Sequence, residues 1–511
     1  MSSANTVEPA GPGMEKPASG SALPEFAQVM GHPRPLWMLF MTEFWERFAF
    51  YGMRWALALY IVAQFYSGDS AGEAPASRLY GAYLALVYAA ALFGGYVADR
   101  IIGYQRSILL GAVIMAAGLF MIVMPNEQLF KLGLATVIAG NGLFKPNIST
   151  MVGKLYAPGD DRRDSGFTLF YMGINAGALI APILTGWLAE RMFGGSPDMP
   201  AYKVVFIAAG IGMLISLVWF WFGRAQLKGI GRPAEGEGGK QRVLFTLIGA
   251  LVSIPVIYFL LAIDAGHLQW LLTALFVALC VLILREGFRD GAVRRDMAIA
   301  MLIIFAFNVL FWMFFEQAGS SFNFLAQNIV NRDFGGWIFP VGWFQSVNSL
   351  AIITLAPVIA WIWIKLGKAN PSIPRKFGLG IIFNGLAFLL LMFALSSLVD
   401  PQTLKIPFWT LFMVYVIQSI GELCLSPIGL SMVTKLAPVR LVGFGMGGWF
   451  LSTAIGNNLS GIFASHVSGE GGMSVESALS GYTFGFWVLV GAGVLLFLIA
   501  PLIQKLMHGV K

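Results

Sequence analysis

The sequence predicts an all-α membrane protein whose chain crosses the bilayer many times. Hydrophobic residues make up 57% of its 511 residues and charged residues only 12%, about half the charged fraction of an ordinary soluble protein. Apolar runs of about 20 residues, long enough to cross the hydrocarbon core, recur along almost the whole chain. The pattern predicts fourteen spans, at 36–66, 79–98, 105–124, 130–153, 166–192, 201–223, 243–263, 268–284, 297–322, 336–364, 375–397, 406–434, 440–467 and 481–507.

The distribution of charge predicts the topology. An even number of spans places both termini on one side, and most of the 33 Lys and Arg residues fall in loops on that side, which predicts cytoplasmic termini. Residues 1–35 are polar and rich in Pro, Gly and Ala, and we expect a disordered cytoplasmic tail. Because the net charge of +7 is spread over short loops, it indicates membrane topology rather than a nucleic-acid partner. No obligatory protein partner is evident.

The spans fall into two groups of six around an insertion. The first group covers 36–223, and a Gly-rich basic stretch at 224–242 reads as a flexible cytoplasmic linker. The two spans within 243–284 carry no charge and read as an inserted transmembrane hairpin. The last six spans cover 297–507. This organisation is typical of a two-halved transporter with a midplane site between its halves.

Charged residues that lie well inside the membrane, away from the span ends, fall on only four of the spans. A charge near the bilayer centre costs at least roughly 2.5–3.5 kcal/mol on insertion scales, so each one needs a reason. Within the twelve-helix core the four spans are helices 1, 4, 7 and 10, as expected if each half contains two three-helix repeats. The first span holds Glu43, Glu46, Arg47 and Arg54, and the others hold Lys145, Glu316 and Glu422.

The charges of the first span share one helix face, which points to a common aqueous cavity. Together with Tyr51 they lie within a sector of roughly 140°. A purely structural ion-pair cluster is the alternative interpretation. Against it, the N-terminal half carries an excess cation and the C-terminal half two carboxylates. A zwitterion with a carboxylate and an ammonium group would lie across such a gap, and the remaining carboxylate would carry a proton.

Other classes of protein find little support in the residues. The four histidines show no metal-ligand spacing, and a nucleotide-binding glycine loop followed by Lys-Ser/Thr is missing from the sequence. A channel would need rings of like ligands, and a membrane enzyme a nucleophile–base pair or a metal cluster. Pro146 beside Lys145 predicts a kink near a cation, although a plain structural kink is equally compatible with this position.

Four motifs carry a resemblance to a known family. "EFWERFAFYG" at 43–52 contains an ExxER motif, "FYMGINAGAL" at 170–179 resembles a helix 5 signature and "GELCLSPIGL" at 421–430 a helix 10 signature. "GGYVADRIIGYQR" at 94–106 resembles the facilitator loop between helices 2 and 3. In this order they resemble the proton-dependent oligopeptide transporters, a branch of the major facilitator superfamily, and the inserted hairpin resembles its bacterial members.

The resemblance implies the major facilitator fold, two six-helix bundles plus the hairpin, and a set of site residues. Arg47 and Lys145 would hold the peptide carboxylate, and Glu422 with Asn348 the amino terminus. Further substrate contacts would come from Tyr51, Tyr88, Asn175 and Trp449. Proton coupling would involve Glu43, Glu46 and Glu316, and gating Arg54 and Glu316 together with Asp99 and Arg100 of the facilitator loop. Phe50 departs from the family, in which many members have a second tyrosine.

The expected function is proton-coupled import of di- and tripeptides by alternating access, not enzymatic catalysis. Protons would be the coupling ion, with no other cofactor and no metal, and the protein would reside in the inner membrane of a bacterium. Protonation of one carboxyl would free Arg47 for the substrate, with Glu46 the first candidate and Glu316 the next. The alternative is a related facilitator of another anion, such as nitrate or a conjugated metabolite, for which Glu422 would have no ammonium to bind.

Overall fold

The computed structural model describes residues 23–157, 159–233 and 239–510, and the described chain is almost entirely helical. Fourteen long helices confirm the predicted all-α class, and one short helix, α10, accompanies them. The helices are α1 (Arg34–Phe65), α2 (Glu73–Val97), α3 (Tyr104–Ile122), α4 (Glu127–Lys154), α5 (Arg162–Trp187), α6 (Tyr202–Gly223), α7 (Lys240–Ala262), α8 (Ala265–Arg289), α9 (Ala292–Phe315), α10 (Ser321–Asn328), α11 (Trp343–Leu366), α12 (Ile373–Ser397), α13 (Phe408–Leu436), α14 (Val442–Ser468) and α15 (Val475–Leu506).

Length and composition suit these helices to a bilayer. Within the described residues, twelve are long and apolar enough to span a membrane. The helices α4 and α14 are comparably long, at 28 and 27 residues, but are less apolar because they carry buried polar groups such as Asn141 and Asn457. Polar residues on a membrane helix are tolerated where they face other helices rather than lipid. The chain is therefore a multi-pass membrane protein.

The described residues just before α1 are folded against the rest of the chain. Strands β1 (Gln28–Val29) and β2 (His32–Pro33) form a small antiparallel hairpin, and the His32 ring shares a hydrogen bond of 2.8 Å with the Tyr156 hydroxyl beyond α4. The prediction of a disordered tail over 1–35 is therefore wrong for residues 23–35, because this anchoring was not visible in their composition. Residues 1–22 lie outside the described part of the chain.

The seventh core helix is interrupted, which corrects the predicted continuous span at 297–322. The helix α9 ends at Phe315, and the chain becomes helical again only at Ser321. Gly319 lies in the interruption, where a Cβ atom would come within 2.0 Å of the Tyr80 hydroxyl. The predicted span at 336–364 also starts too early, because strands β3 (Asp333–Phe334) and β4 (Trp337–Ile338) precede α11.

Two bundles of six core helices form the body of the molecule. In the first, α1 packs on α5 and α6, and α3 packs on α4 and α6. In the second, α12 packs on α13 and α15, and α9 packs on α14. The helices α2 and α14, and likewise α5 and α11, pack across the boundary between the halves.

The helices α7 and α8 are attached to different halves. The helix α7 packs on α4 of the first half, whereas α8 packs mainly on α9 and α14 of the second. An apolar groove of about 720 Å³ lies between the hairpin and helices α2 and α4. The start of the predicted linker is fixed to the first bundle, since Gln105 Nε2 donates to the Ile230 carbonyl at 2.7 Å. Residues 234–238 of that linker lie outside the described chain.

Close contacts between the halves concentrate at one end of the molecule. We call the end where α1 begins and α15 ends the terminal side, and the opposite end the distal side. Near the distal side, a Cβ atom on Gly81 would come within 2.7 Å of the Gly461 Cα atom. Asn323 Nδ2 also donates to the Trp55 carbonyl at 2.7 Å, and Ser346 Oγ to the Leu179 carbonyl at 2.7 Å. The structure is therefore closed on the distal side.

Substitution of Gly81 tests whether this closure needs backbone contact. Gly81→Leu should push α2 and α14 apart, since overpacking costs about 1–3 kcal/mol, and should reduce the distal-closed population roughly fivefold or more. Distances between spin labels on the distal loops of the two halves measure the effect. Gly95→Ala on the same helix is the control, because a Cβ atom there meets nothing within 4 Å. An unchanged distance distribution in Gly81→Leu would contradict the prediction.

Candidate functional site

A buried ion pair on α1 forms the base of the site. Glu46 and Arg47 are adjacent in sequence, and the Arg47 guanidinium places Nε 2.5 Å and Nη2 2.6 Å from the two Glu46 carboxylate oxygens. Asn141 of α4 donates to the same carboxylate at 3.2 Å. The exposed fractions of Glu46 and Arg47 are 0% and 2%. Two parallel charge-assisted hydrogen bonds hold this pair in a fixed geometry.

Glu43 is held much more loosely than Glu46. Its Oε1 atom lies 3.5 Å from Arg47 Nε, which is an ion pair but a poor hydrogen bond. Its Oε2 atom is buried with no hydrogen-bond partner among the described residues. A buried carboxylate oxygen without a donor favours the protonated form of the group, because the charge is not compensated.

A second ion pair on α1 crosses between the halves. Arg54 Nη2 bonds to the Glu316 carboxylate in the interruption after α9, and Arg54 Nε donates to the Tyr80 hydroxyl at 2.7 Å. The interruption explains how Glu316 reaches this position, because the residue lies at the end of α9 instead of inside a continuous helix. Arg54 and Glu316, which the resemblance assigns to one gate, are thus ion-paired, and the pair joins the first half to the second.

Lys145 and Glu422 differ from these pairs. In the described part of the chain neither has an oppositely charged side chain within 4.0 Å. The Lys145 ammonium lies 5.2 Å from the centre of the Tyr88 ring, at cation–π distance. The Glu422 carboxylate accepts a hydrogen bond of 3.1 Å from Asn348, whose amide also donates to Ser419 at 2.9 Å. One unpaired cation therefore belongs to the first half and one unpaired carboxylate to the second.

Electrostatic interactions link these groups into one central cluster. Lys145 interacts with Glu43, Glu46 and Glu316, and Glu422 interacts with Glu316 and Arg54. The Tyr51 hydroxyl lies in the field of both halves, since it interacts with Arg47 and with Glu422. The intramembrane charges that the sequence singled out thus converge between the two bundles.

Other predicted site residues lie away from the cluster or have their side chains engaged in packing or in hydrogen bonds within their own helix. Trp449 is 6% exposed. Its ring centre lies 6.1 Å from that of Phe305 and 6.2 Å from that of Phe377, and it packs against both. Asn175 donates to the Tyr171 carbonyl of its own helix at 3.0 Å. Asp99 and Arg100 are exposed near the terminal side, immediately beyond α2, and so lie at the opposite end from the Arg54–Glu316 pair.

The structure adds residues that the sequence analysis missed. Asn141 lies four residues before Lys145 and therefore on the same face of α4. This spacing could have identified Asn141 from the sequence as a site residue. Tyr80 contacts Arg54 but was not distinguished from the other aromatic residues of its span. Tyr171, next to the helix 5 signature, interacts electrostatically with Glu422. Within the described ranges no group of three His, Cys, Asp or Glu residues is arranged to hold a metal ion.

Comparison with known sequences gives a consistent result. The sequence profile of the POT family matches residues 105–480. The chain is 36% identical over 504 residues to the peptide transporter YePEPT of Yersinia enterocolitica, covering 94% of this chain and 96% of that protein. It is 34% identical to the uncharacterized transporter YclF of Bacillus subtilis, with the same coverage. It is 35% identical to dipeptide and tripeptide permease B of Edwardsiella piscicida, covering 87% and 89%.

Solved structures show the same similarity in three dimensions. A variant of a peptide transporter POT in complex with alafosfalin superimposes with a TM-score of 0.82 at 33% identity, covering 94% of this chain and 97% of that one. A POT family transporter in complex with 5-aminolevulinic acid superimposes with a TM-score of 0.79 at 31% identity, covering 94% and 98%. The similarity therefore extends over both bundles and the hairpin.

The unequal bonding of the two α1 carboxylates predicts unequal effects on stability. Glu46→Gln breaks the paired hydrogen bonds and leaves Arg47 buried with a weak partner, which should cost about 3–5 kcal/mol. Glu43→Gln should cost about 1 kcal/mol or less, because it loses a single contact to Arg47 that is too long for a good hydrogen bond. Thermal unfolding of the purified protein in detergent compares the two matched variants. A larger loss of stability in Glu43→Gln would contradict the assignment.

Proposed function

We propose that this chain, which belongs to the POT family and has the major facilitator fold, imports di- and tripeptides together with protons. The observation that carries the proposal is the pair of uncompensated charges, Lys145 on the first half and Glu422 on the second. A peptide backbone has one carboxylate and one ammonium group, so it would compensate both charges at once. Recognition of the two ends leaves the side chains free to vary.

The carboxylate end is assigned to the first half. Lys145 supplies a mobile point charge, while Arg47 presents a rigid fork of donors that suits a carboxylate. In the structure both Arg47 donors nearest to Glu46 are used in the ion pair. Lys145 is therefore the first contact for an incoming carboxylate, and Arg47 becomes available once its own partners change. 5-Aminolevulinic acid, the ligand in one solved relative, also carries both a carboxylate and an amine, which supports recognition of two charged ends.

The ammonium end is assigned to the second half. The Glu422 carboxylate accepts a hydrogen bond from Asn348, which fixes its orientation without neutralising its charge. An ammonium group would add charge-assisted hydrogen bonds there. A carrier of nitrate or of another simple anion gains nothing from Glu422, and this is the observation that favours a peptide over the alternative solutes.

Charge balance supplies the link to protons. Glu43, Glu46, Arg47 and Lys145 sum to zero when all are ionised, so a peptide carboxylate that pairs with Lys145 leaves one glutamate charge of this group uncompensated. A proton on one carboxyl restores the balance, and proton and peptide then favour each other's binding, as reciprocal coupling requires. The loose bonding of Glu43 supports this residue, ahead of the expected Glu46, as the proton acceptor. Glu316, which also interacts with Lys145, is the next candidate.

Alternating access completes the proposal. The distal side, which is closed here, would face the cell exterior, and the terminal side with both termini would face the cytoplasm of a bacterium. The Arg54–Glu316 pair then forms part of the external closure. Asp99 and Arg100, which lie near the terminal side, would contribute to the internal closure if they act in gating at all.

Peptides blocked at one end test the two assignments separately. For an alanyl-alanine ligand, Lys145→Ala should weaken binding roughly 10- to 150-fold, the value of a charge-assisted hydrogen bond of about 1.5–3 kcal/mol. The same variant should bind the C-terminal amide as poorly as the free acid. Glu422→Gln should likewise bind the free peptide weakly, and it should bind the N-acetylated peptide as poorly as the free one. Calorimetric titration of the native protein and both variants with all three ligands gives the comparison, and equal affinities of the native protein for them would refute end recognition.

Transport by Glu43→Gln tests proton coupling. The amide mimics a protonated carboxyl, so exchange of peptide across a vesicle membrane should persist while accumulation driven by a pH gradient is lost. Both are measured as uptake of labelled dipeptide into the same proteoliposomes. Glu46→Gln is the matched control, and it should impair exchange as well, because it breaks the paired hydrogen bonds that hold the Arg47 guanidinium in position. Gradient-driven accumulation retained by Glu43→Gln would move the proton site to Glu46 or Glu316.

A further inference from the structure

Glu190 is a buried carboxylate outside the central cluster. It lies just beyond α5 near the distal side, and its exposed fraction is 2%. Neither of its carboxylate oxygens has a hydrogen-bond partner among the described residues. The Val341 N–H faces the carboxylate without completing a hydrogen bond. An ionised carboxylate in this environment is strongly disfavoured, because burial removes its hydration and nothing replaces it.

The position of Glu190 is on the boundary between the halves. Its neighbour Arg191 donates to the Ile338 carbonyl of the second half at 3.3 Å. Trp343 at the start of α11 donates in the opposite direction, to the Ile183 carbonyl at 3.0 Å. Residues 331–343 thus cover the end of α5, and separation of the halves on the distal side would expose the Glu190 carboxylate to water.

The positive charge opposite Glu190 is engaged elsewhere. Arg332 is 7% exposed, and its guanidinium donates to the Ala326 carbonyl at 3.0 Å and to the Phe339 carbonyl at 2.7 Å. It interacts with Glu190 electrostatically, but the described residues include no carboxylate within 4.0 Å of it. The other charged or titratable groups facing Glu190 are Arg191, Asp198 and Tyr202.

A second buried carboxylate of the distal closure, Glu73, differs from Glu190 in its hydrogen bonding. Glu73 at the start of α2 is 3% exposed. It accepts hydrogen bonds from Asn328 Nδ2 at 2.8 Å and from the Met473 N–H at 2.7 Å, both in the second half. These donors replace water around an ionised group. Glu73 therefore joins the halves through donors to both of its oxygens, whereas Glu190 is enclosed without a completed hydrogen bond.

We propose that Glu190 is a proton-binding site of the distal closure, separate from the central cluster. Its carboxylate takes up a proton when the halves close over it and releases the proton when they part. Closure and proton binding are then linked, so the closed form binds this proton more tightly than the open form. Acid on the distal side favours closure and alkali opposes it. The proposal rests on the alternating access of the proposed function but not on the identity of the substrate.

Distance measurements without peptide or gradient test this proposal. Spin labels are placed at Ser67→Cys and Glu470→Cys, exposed positions on the distal loops of the two halves, with Cys280→Ala and Cys424→Ala as background. In this labelled parent protein, the population with a short distance between the two labels, which is the closed form, should fall as the pH rises. Glu190→Gln should stay closed at alkaline pH, with a closed-to-open ratio roughly tenfold above the parent, as loss of one unit of proton affinity would give.

Matched variants separate the possible outcomes. Glu73→Gln should reduce closure at every pH, because it removes the charge that accepts two hydrogen bonds. Arg332→Gln should shift the pH dependence of closure to higher pH, because Glu190 then loses its nearest opposing cation, and this variant also serves if Glu190→Gln does not fold. Reduced closure in Glu190→Gln, or an unchanged pH dependence, overturns the proposal. Loss of the pH dependence in Glu43→Gln but not in Glu190→Gln would assign it to the central cluster instead.

Discussion

The requirement to compensate charge inside a membrane organises this structure. A charged group within the bilayer is stable only with a partner of opposite sign, a set of hydrogen bonds or access to water. Arg47 has Glu46, and Arg54 has Glu316. Lys145 and Glu422 lack an oppositely charged partner within 4.0 Å in the described chain. In the proposed function a bound solute supplies the opposite charges, and because the two residues belong to opposite halves, that solute would bridge the halves.

The distal closure and the centre of the molecule are held together by different interactions. On the distal side the halves meet through backbone contacts at Gly81 and Gly461 and through donors to the Glu73 carboxylate. These contacts need a close approach and are lost as a unit when the helices separate. The charge pairs near the middle depend on ionisation instead. Under the proposed function, closure would therefore depend on packing and on proton binding together.

The sequence predicted the helices and the charged core well, because both follow from local rules. A long apolar run is a span whatever its neighbours are, and Glu43, Glu46 and Arg47 share a face through helical periodicity alone. The interruption after Phe315 could not be predicted in this way, since it depends on Tyr80 approaching Gly319 from the other half. The order of residues 23–33 depends likewise on a distant tyrosine, Tyr156. The different bonding of Glu43 and Glu46 is set by side-chain geometry and by Asn141, which a pattern of charges does not contain.

The inserted hairpin has a mechanical consequence. Its helix α7 is attached to the first half and α8 mainly to the second, and an apolar groove of about 720 Å³ lies beside them. A swing of one half against the other must therefore spread or compress the two legs about the turn at Ile263 and Asp264. If the halves move as proposed, acyl chains of the surrounding lipid would enter or leave the groove as its volume changes. The lateral pressure, thickness and fluidity of the bilayer would then contribute to the free-energy difference between the two conformations.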